Sequence, residues 1–177
     1  MKNNIIFLDI DGVVNTLQIS KTPFKKGSVE KDGYYFQLCH EKDEEVSNKQ
    51  AVLWLDKLCH ETNAKIVISS TWRKYNNYNK TVAALYNSGL SDDIDIIGMT
   101  PIDCFSCPRL GYWQTKGTEI SNWLLENKDR VLNYVILDDD CDMGDLISHL
   151  VRCDTYYGFG CKEYNIAIDI LNAKKKE

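Results

Sequence analysis

The amino-acid sequence predicts an α/β protein with three layers, in which helices cover both faces of a central parallel sheet. Short, continuous apolar runs favour strands that are buried on both faces. Between these runs, apolar residues recur at helical spacing, and such alternation of strands and helices is typical of parallel sheets. The chain has 177 residues, of which 44% are hydrophobic. We therefore expect a single domain over residues 1–177.

Five apolar segments are predicted as strands. The first has no polar residue, as expected for a strand in the middle of a sheet. Several of the runs end directly at polar residues, which marks the point where the buried part of the strand ends. The predicted strands are residues 5–8, 65–68, 94–97, 131–137 and 150–153.

Residues 12–45 separate the first strand from the first helix and show no sustained periodicity. They include Pro23, Gly27 and Gly33, and residues 34–38 suit half of a hairpin. A plain connection of this length is uncommon in a compact domain. We expect a small flap or insertion here, since 177 residues leave no room for a large cap domain.

Four helices are predicted from apolar residues at helical spacing. Residues 47–50 read as a capping box with Ser47 at the N-cap. Gly89 suits the end of the second helix, and Thr118 suits the N-cap of the third. The four helical patterns lie within residues 51–59, 78–86, 118–127 and 164–171.

Composition and charge exclude several classes of protein. The net charge of −5 argues against a broad surface for nucleic acid, which would need clustered Lys and Arg. The basic run at residues 174–176 is short and terminal. No apolar stretch is long enough to span a bilayer or to act as a signal peptide. We therefore expect a cytoplasmic protein with no membrane partner.

The seven cysteines are expected to be reduced thiols, because no export signal accompanies them. Cys104 and Cys107 form a lone CxxC pair. A structural zinc site usually needs two such pairs, so zinc is not favoured.

Polar residues follow three of the predicted strands directly. Asp9 and Asp11 follow the first, residues 69–73 follow the second, and residues 138–140 follow the fourth. Ligands of parallel sheets bind at this carboxyl edge. Clustered acids are costly without a cation among them, and oxygen ligands with phosphate chemistry favour Mg²⁺. The sequence thus predicts a site for a hard cation at this edge of the sheet, with Mg²⁺ as the expected ion.

Four short motifs resemble those of the haloacid dehalogenase (HAD) superfamily. Residues 9–12 match its DxDG motif after a strand, and Ser69 is similar to its hydroxyl residue. Lys116 and the pair at residues 138–139 resemble the third and fourth motifs. The resemblance spans residues 5–139.

A narrower likeness is to the small HAD domains associated with RNA-repair proteins. It is carried by residues 70–73, 116–120 with 123–124, and 137–139, and the region 154–158 is also similar. The resemblance implies a three-layer Rossmann-like (HAD) fold with a small flap after strand 1 and no large cap.

The resemblance also implies catalytic roles. Asp9 would attack phosphorus and form an aspartyl-phosphate. Asp11 would protonate the leaving alcohol and then activate water. Ser69 and Lys116 would bind the transferring phosphoryl oxygens.

The same resemblance implies a set of ligands for Mg²⁺. Asp9 would offer its carboxylate, Asp11 its backbone carbonyl, and one of the acids Asp138 and Asp139 a further oxygen. We favour Asp139, and Asp142 is expected to support the site.

Substrate contacts are expected from Gly12, Ser70, Thr71 and Arg73. Which hydroxyl binds phosphate stays open, although only Ser69 and Thr71 share a direction in an extended chain. Arg73 is interpreted as a bidentate phosphate clamp or as a surface cation.

Other candidates remain beside this set. Arg109 is an alternative to Lys116, although it lies further from the helix start. Trp72, Tyr112 and Trp113 are interpreted either as rings that stack on a base or as packing under the loop at residues 98–116.

The sequence predicts a Mg²⁺-dependent phosphohydrolase that acts on a phosphomonoester, with a nucleic-acid 3′-phosphate end as the first hypothesis. A free nucleotide or another small phosphomonoester is the alternative. A non-catalytic phosphate- or protein-binding module has less support, because a binder has little need for the pair Asp9 and Asp11. A phosphorylated substrate is the one expected partner, and no obligate protein partner can be inferred.

Overall fold

In this computed structural model the described residues form eight strands in two sheets, a parallel sheet of five and a smaller antiparallel sheet of three. The structure describes residues 2–20, 29–31, 34–37, 46–75, 78–102 and 115–173. In chain order the strands are β1 (Asn3–Leu8), β2 (Gln18–Ser20), β3 (Val29–Lys31), β4 (Tyr34–Gln37), β5 (Ala64–Ile68), β6 (Ile96–Met99), β7 (Val131–Asp138) and β8 (Leu150–Arg152).

Helices alternate with the strands of the parallel sheet. They are α1 (Lys49–Thr62), α2 (Trp72–Tyr75), α3 (Tyr78–Asn87), α4 (Lys116–Asn127) and α5 (Cys161–Asn172), with a 3₁₀ helix at Gly144–His149. Within the described ranges, none of the helices has the length and apolar character that crossing a membrane requires.

The three-layer prediction is confirmed by how β1 divides the core. Ile6 and Leu8 face a cluster that includes buried residues of α1, α3 and α5. Ile5 and Phe7 face the opposite cluster, which includes Ile120 of α4. Successive side chains of a strand point to opposite faces, so a continuous apolar run is what a strand covered by helices on both sides needs.

The parallel sheet has the order β6-β5-β1-β7-β8. The chain builds outward from β1 to β6 and then returns to place β7 on the other side of β1. The strand order therefore reverses between β1 and β7, where ligands of such sheets bind. Leu8 is level with both Ile68 and Leu137, so the residues that follow these three strands meet at one edge.

The antiparallel sheet lies in the stretch between β1 and α1. β4 is its central strand and pairs with β2 and with β3. The hairpin interpretation of residues 34–38 agrees with the β3–β4 pairing, although Leu38 lies outside the described residues, as do Pro23, Gly27 and Gly33.

The predicted N-cap of α1 is wrong by one residue. Asn48 is the N-cap, and its side-chain oxygen accepts a hydrogen bond from Ala51 N at 3.0 Å. The Ser47 hydroxyl instead accepts from Thr16 N at 2.9 Å. Ser47 is therefore engaged by the chain that follows β1, and the next residue caps the helix.

The starts of α4 and β6 also differ from the predictions. The N-cap of α4 is Thr115, not Thr118, so Lys116 is the first residue of the helix. β6 begins two residues later than the predicted strand at 94–97, because Ile94 N bonds Ser91 O in a turn at 3.1 Å. Ile94 is buried like a strand residue, which explains why the sequence pattern started the strand there.

Candidate active site

The ends of β1, β5 and β7 bring three predicted site residues together. Asp9 N donates to Leu137 O at 3.0 Å, and Ser69 N donates to Leu8 O at 2.9 Å. These bonds continue the sheet pairing past β1 and β5, so Asp9 lies between Ser69 on one side and Asp138, the last residue of β7, on the other.

Three carboxylates form the centre of the site. Oxygens of Asp9, Asp138 and Asp139 lie within 4.8 Å of one another. Asp9 and Asp138 are buried, and Asp139 is half-buried. The Lys116 ammonium lies 2.7 Å from Asp9 Oδ2 and 2.7 Å from Asp138 Oδ2. One cation thus contacts two of the three acids.

The pKa values of this group show how strongly its members interact. Burial and the negative charge of Asp9 raise the pKa of Asp138 to about 7, against the opposing effect of Lys116. Burial alone would lower the pKa of Lys116, but the charges of Asp9 and Asp138 outweigh it, so this pKa is raised. The ammonium is therefore held in its charged form.

The carboxylate group fits a divalent metal ion. Its donors are all oxygens, as hard cations such as Mg²⁺ prefer. Lys116 supplies one positive charge to three acids, and the uncompensated charge would be costly in a buried site. The Asp11 carboxylate is not in this group of three, and the metal contact expected from its backbone carbonyl stays a prediction.

The Asp11 carboxylate is held by two side-chain donors. Asn15 Nδ2 donates to its Oδ1 at 2.7 Å, and Trp72 Nε1 donates to its Oδ2 at 2.9 Å. Burial raises the pKa of Asp11, these two hydrogen bonds lower it, and the charges of Asp9 and Asp139 raise it, with a net rise. This acid is therefore kept apart from the three-carboxylate group.

Trp72 is buried, and its indole nitrogen is used by Asp11. It is therefore not the exposed stacking ring considered from the sequence. Tyr112 and Trp113, the other two candidate rings, lie outside the described residues, and so do Arg109, Cys104 and Cys107.

Gly12 allows the loop after β1 to pass close to Asp139. Its φ is +73°, and a Cβ at this position would lie 2.2 Å from Asp139 Oδ2. Only glycine combines this backbone conformation with the missing side chain. The structure therefore explains why glycine is needed beside Asp139. The substrate contact that we expected from Gly12 stays a prediction.

The three consecutive hydroxyls after β5 have different surroundings. The Ser69 hydroxyl is fully buried and, among the described residues, has no hydrogen-bond partner. The Ser70 hydroxyl accepts from Trp72 N at 3.3 Å, and Thr71 is exposed. Ser69 is thus the hydroxyl at the strand end that is left without a partner.

Arg73 has different contacts from those of the predicted phosphate clamp. Its guanidinium donates to the backbone oxygens of Ser69 and Ser70 and pairs with Glu119 of α4. The side chain is only 1% exposed. In this structure Arg73 therefore joins the backbone of the loop after β5 to Glu119 of α4.

Asp142, which was expected to support the metal site, binds the first residues of α4. Its Oδ2 accepts from Lys116 N at 3.0 Å, and its backbone oxygen accepts from Gly117 N at 3.3 Å. A Cβ on Gly117 would lie 2.4 Å from the backbone oxygen of Met143. The loop after β7 therefore packs directly against the turn that carries Lys116.

Four site contacts were not predicted from the sequence. Asn15 and Trp72 hold Asp11, Glu119 pairs with Arg73, and the Thr155 hydroxyl donates to Asp139 Oδ2 at 2.8 Å. Trp72, Glu119 and Thr155 lie in segments that resembled RNA-repair domains, whereas Asn15 carried no such signal.

Comparison with known proteins identifies a family. A family model described as "HAD domain in Swiss Army Knife RNA repair proteins" matches residues 5–163. Neither the comparison with curated proteins nor that with solved structures found a match. The matched range begins in β1, ends in the first turn of α5, and includes every site residue described above.

Proposed function

The chain belongs to the family of HAD domains in Swiss Army Knife RNA repair proteins, and on that basis we propose that it is a Mg²⁺-dependent phosphohydrolase. It would cleave a phosphomonoester through an aspartyl-phosphate on Asp9. The observation that carries this proposal is the group of three carboxylates with Lys116 between Asp9 and Asp138. Such a group offers a nucleophile, a phosphate-binding cation and ligands for a metal ion in one place.

Asp9 is the proposed nucleophile. Its Oδ2 is held by Lys116 and its Oδ1 accepts from Ile10 N at 2.8 Å, so the orientation of the carboxylate is fixed. A bond would form between an Asp9 oxygen and phosphorus while the bond from phosphorus to the leaving alcohol breaks. Water would then attack phosphorus, and this step releases inorganic phosphate and restores Asp9.

Asp11 is the proposed general acid and base. Asn15 and Trp72 hold its carboxylate, which is two residues from the nucleophile. It would give a proton to the leaving alcohol and then take one from the attacking water. Its raised pKa favours the protonated form that the first transfer needs.

Asp9 and Asp139 are the proposed main ligands for Mg²⁺. Both oxygens of Asp9 and both oxygens of Asp138 already accept a hydrogen bond, so on these two acids a metal ion would use the remaining lone pairs. Asp139 uses Oδ2 for Thr155, and within the described part of the chain its Oδ1 has no partner. Bound Mg²⁺ would neutralise charge on the phosphoryl oxygens, while Ser69 and Lys116 bind these oxygens directly.

The turn after β8 supports a substrate that carries a base. It exposes the side chains of Tyr156 and Tyr157, which follow the Asp139 partner Thr155 directly. Aromatic rings beside a phosphate site offer faces on which bases can stack. Because the matching family is that of RNA repair proteins, we propose a nucleic-acid 3′-phosphate end as the first candidate substrate.

A free nucleotide or another small phosphomonoester is the second candidate. The net charge of −5 favours it, because a polyanion is repelled by an acidic surface.

A panel of phosphomonoesters tests the proposal. Phosphate release is measured with and without Mg²⁺ for 3′-phosphorylated oligonucleotides, mononucleotides and an aryl phosphate. We expect Mg²⁺-dependent release that is fastest with the 3′-phosphorylated oligonucleotides and is lost in Asp9→Asn. Release from mononucleotides alone would reject the nucleic-acid end, and full activity of Asp9→Asn would reject the mechanism.

A further inference from the structure

We infer that Arg73 and Glu119 form a buried positioning pair that shapes a phosphate cradle after β5 and fixes it to the helix that carries Lys116. This inference rests on the phosphohydrolase function proposed above and assigns the two residues a part in it. Neither residue is placed in contact with the substrate.

Both members of the pair are buried, unlike the ion pairs that the described residues form away from the three carboxylates. The Arg73 and Glu119 side chains are 1% and 8% exposed. A buried ion pair is seldom a net source of stability, because both charges lose their hydration. The three acceptors around the guanidinium, two carbonyls and a carboxylate, fix its geometry.

The two carbonyls that accept hydrogen bonds from Arg73 determine where the N–H groups of the same peptide units point. In a planar trans peptide the N–H lies opposite the C=O. Arg73 binds the carbonyls of Ser69 and Ser70, so the N–H groups of Ser70 and Thr71 are directed away from Arg73. Neither N–H has an acceptor among the residues that the structure describes.

These two N–H groups and the Ser69 hydroxyl make three donors without a partner on one short loop. Consecutive backbone N–H groups of this kind form a concave site for anions. Ser69 lies beside Asp9 at the end of the sheet. The loop therefore suits the oxygens of a phosphoryl group on the proposed nucleophile.

Glu119 connects this loop to the second phosphate-binding element. It lies on α4 one turn after Lys116, whose ammonium contacts Asp9. The pair therefore sets the spacing between the loop donors and the lysine. Loss of Arg73 should disturb phosphate binding without removing any group that touches phosphate.

The test is a double variant, Arg73→Met with Glu119→Leu, which replaces the ion pair by apolar side chains. Such replacements often preserve stability, but methionine cannot hold the two carbonyls. Orthovanadate, an analogue of the transferring phosphoryl group, is titrated by calorimetry in the presence of Mg²⁺. We expect a melting temperature near that of the wild type, with vanadate affinity and kcat each reduced about 10-fold or more.

Two single variants complete the test. Arg73→Lys keeps the charge but lacks the planar fork that reaches three acceptors, so we expect a folded protein with weakened vanadate binding. Leu171→Ala, in the core at the end of α5, should lower the melting temperature and leave the dissociation constant for vanadate unchanged.

The outcomes separate this inference from the function on which it rests. Wild-type vanadate affinity in the double variant, or in Arg73→Lys if the double variant does not fold, would overturn the positioning role. A wild-type protein that binds no vanadate would overturn the cradle itself. A wild-type protein that binds vanadate but hydrolyses no phosphomonoester would overturn the proposed function and leave the cradle standing.

Discussion

At the scale of single residues, the site is defined by carboxylates that lie close together and by the few groups that compensate their charge. Asp9, Asp138 and Asp139 are brought together although their charges repel, and Lys116 contacts only two of them. Like charges at this separation are tolerated when a cation or a proton compensates them. Gly12 is part of this arrangement, because its missing side chain leaves room for Asp139.

Gly12→Ala is expected to weaken Mg²⁺ binding as well as to destabilise the fold. A residue with a Cβ pays about 1–2 kcal/mol for the left-handed conformation, and the new methyl group would also displace the Asp139 carboxylate. Urea unfolding measures the first effect, and calorimetric titration with Mg²⁺ measures the second.

Gly144→Ala is the matched control for this variant. Gly144 also has a positive φ, +55°, but a Cβ there would meet nothing within 4 Å. It is expected to lose a similar free energy of unfolding and to bind Mg²⁺ like the wild type. Equal Mg²⁺ affinities in the two variants would contradict the role given to Gly12.

At the scale of elements, α4 links the site to the fold. It begins at Lys116 with Thr115 as the N-cap, three residues before the cap predicted at Thr118. Gly117 lies just before the predicted cap, and glycine is a poor helix former. The structure places Gly117 inside the helix, where a side chain would collide with the backbone of Met143.

The two threonines give a direct test of where α4 begins. Thr115→Ala is expected to lower the free energy of unfolding by about 1 kcal/mol, since its side chain caps the helix. Thr118→Ala is expected to change it by less than about 0.5 kcal/mol, because the Thr118 side chain is exposed and, among the described residues, its hydroxyl contacts only the Thr115 hydroxyl, at 3.2 Å. Urea unfolding of both variants decides between them, and the opposite ranking would restore the sequence-based cap.

The elements also show how far the sequence can predict the site. Asp9, Ser69 and Asp138 were found because the carboxyl ends of parallel strands meet at one edge. The partners of Asp11 and Arg73 were not found. Trp72 is 61 residues from Asp11, and Glu119 is 46 residues from Arg73. Such pairs depend on tertiary packing, which no local pattern records.

At the scale of the whole molecule, charge and architecture together restrict how a substrate binds. The chain has a net charge of −5, yet its proposed ligand is an anion. The groups proposed to attract phosphate, Lys116 and the loop after β5, lie at one edge of the sheet. Binding should therefore depend on the terminal phosphate and its nucleotide rather than on a long backbone.

Salt and substrate length test this expectation. The value of kcat/KM is measured for 3′-phosphorylated oligonucleotides of increasing length at 50 and 200 mM salt. Proteins that contact 6–10 phosphates lose about 10³- to 10⁵-fold in affinity over this range. We expect a change of less than about 10-fold and little effect of length, because few phosphates are held. A steep decrease with salt that grows with length would instead indicate an extended contact surface.

The central claim is that Asp9 carries the phosphoryl group during the reaction, and chemical trapping of this intermediate tests it most directly. The protein is mixed with Mg²⁺ and its best phosphomonoester, quenched with acid during turnover, and reduced with borohydride. Reduction converts an aspartyl-phosphate to homoserine, which mass spectrometry of the peptides locates. We predict homoserine at position 9 in the wild type and none in Asp9→Asn. An active wild-type protein with no homoserine, or with homoserine at another aspartate, would contradict the claim.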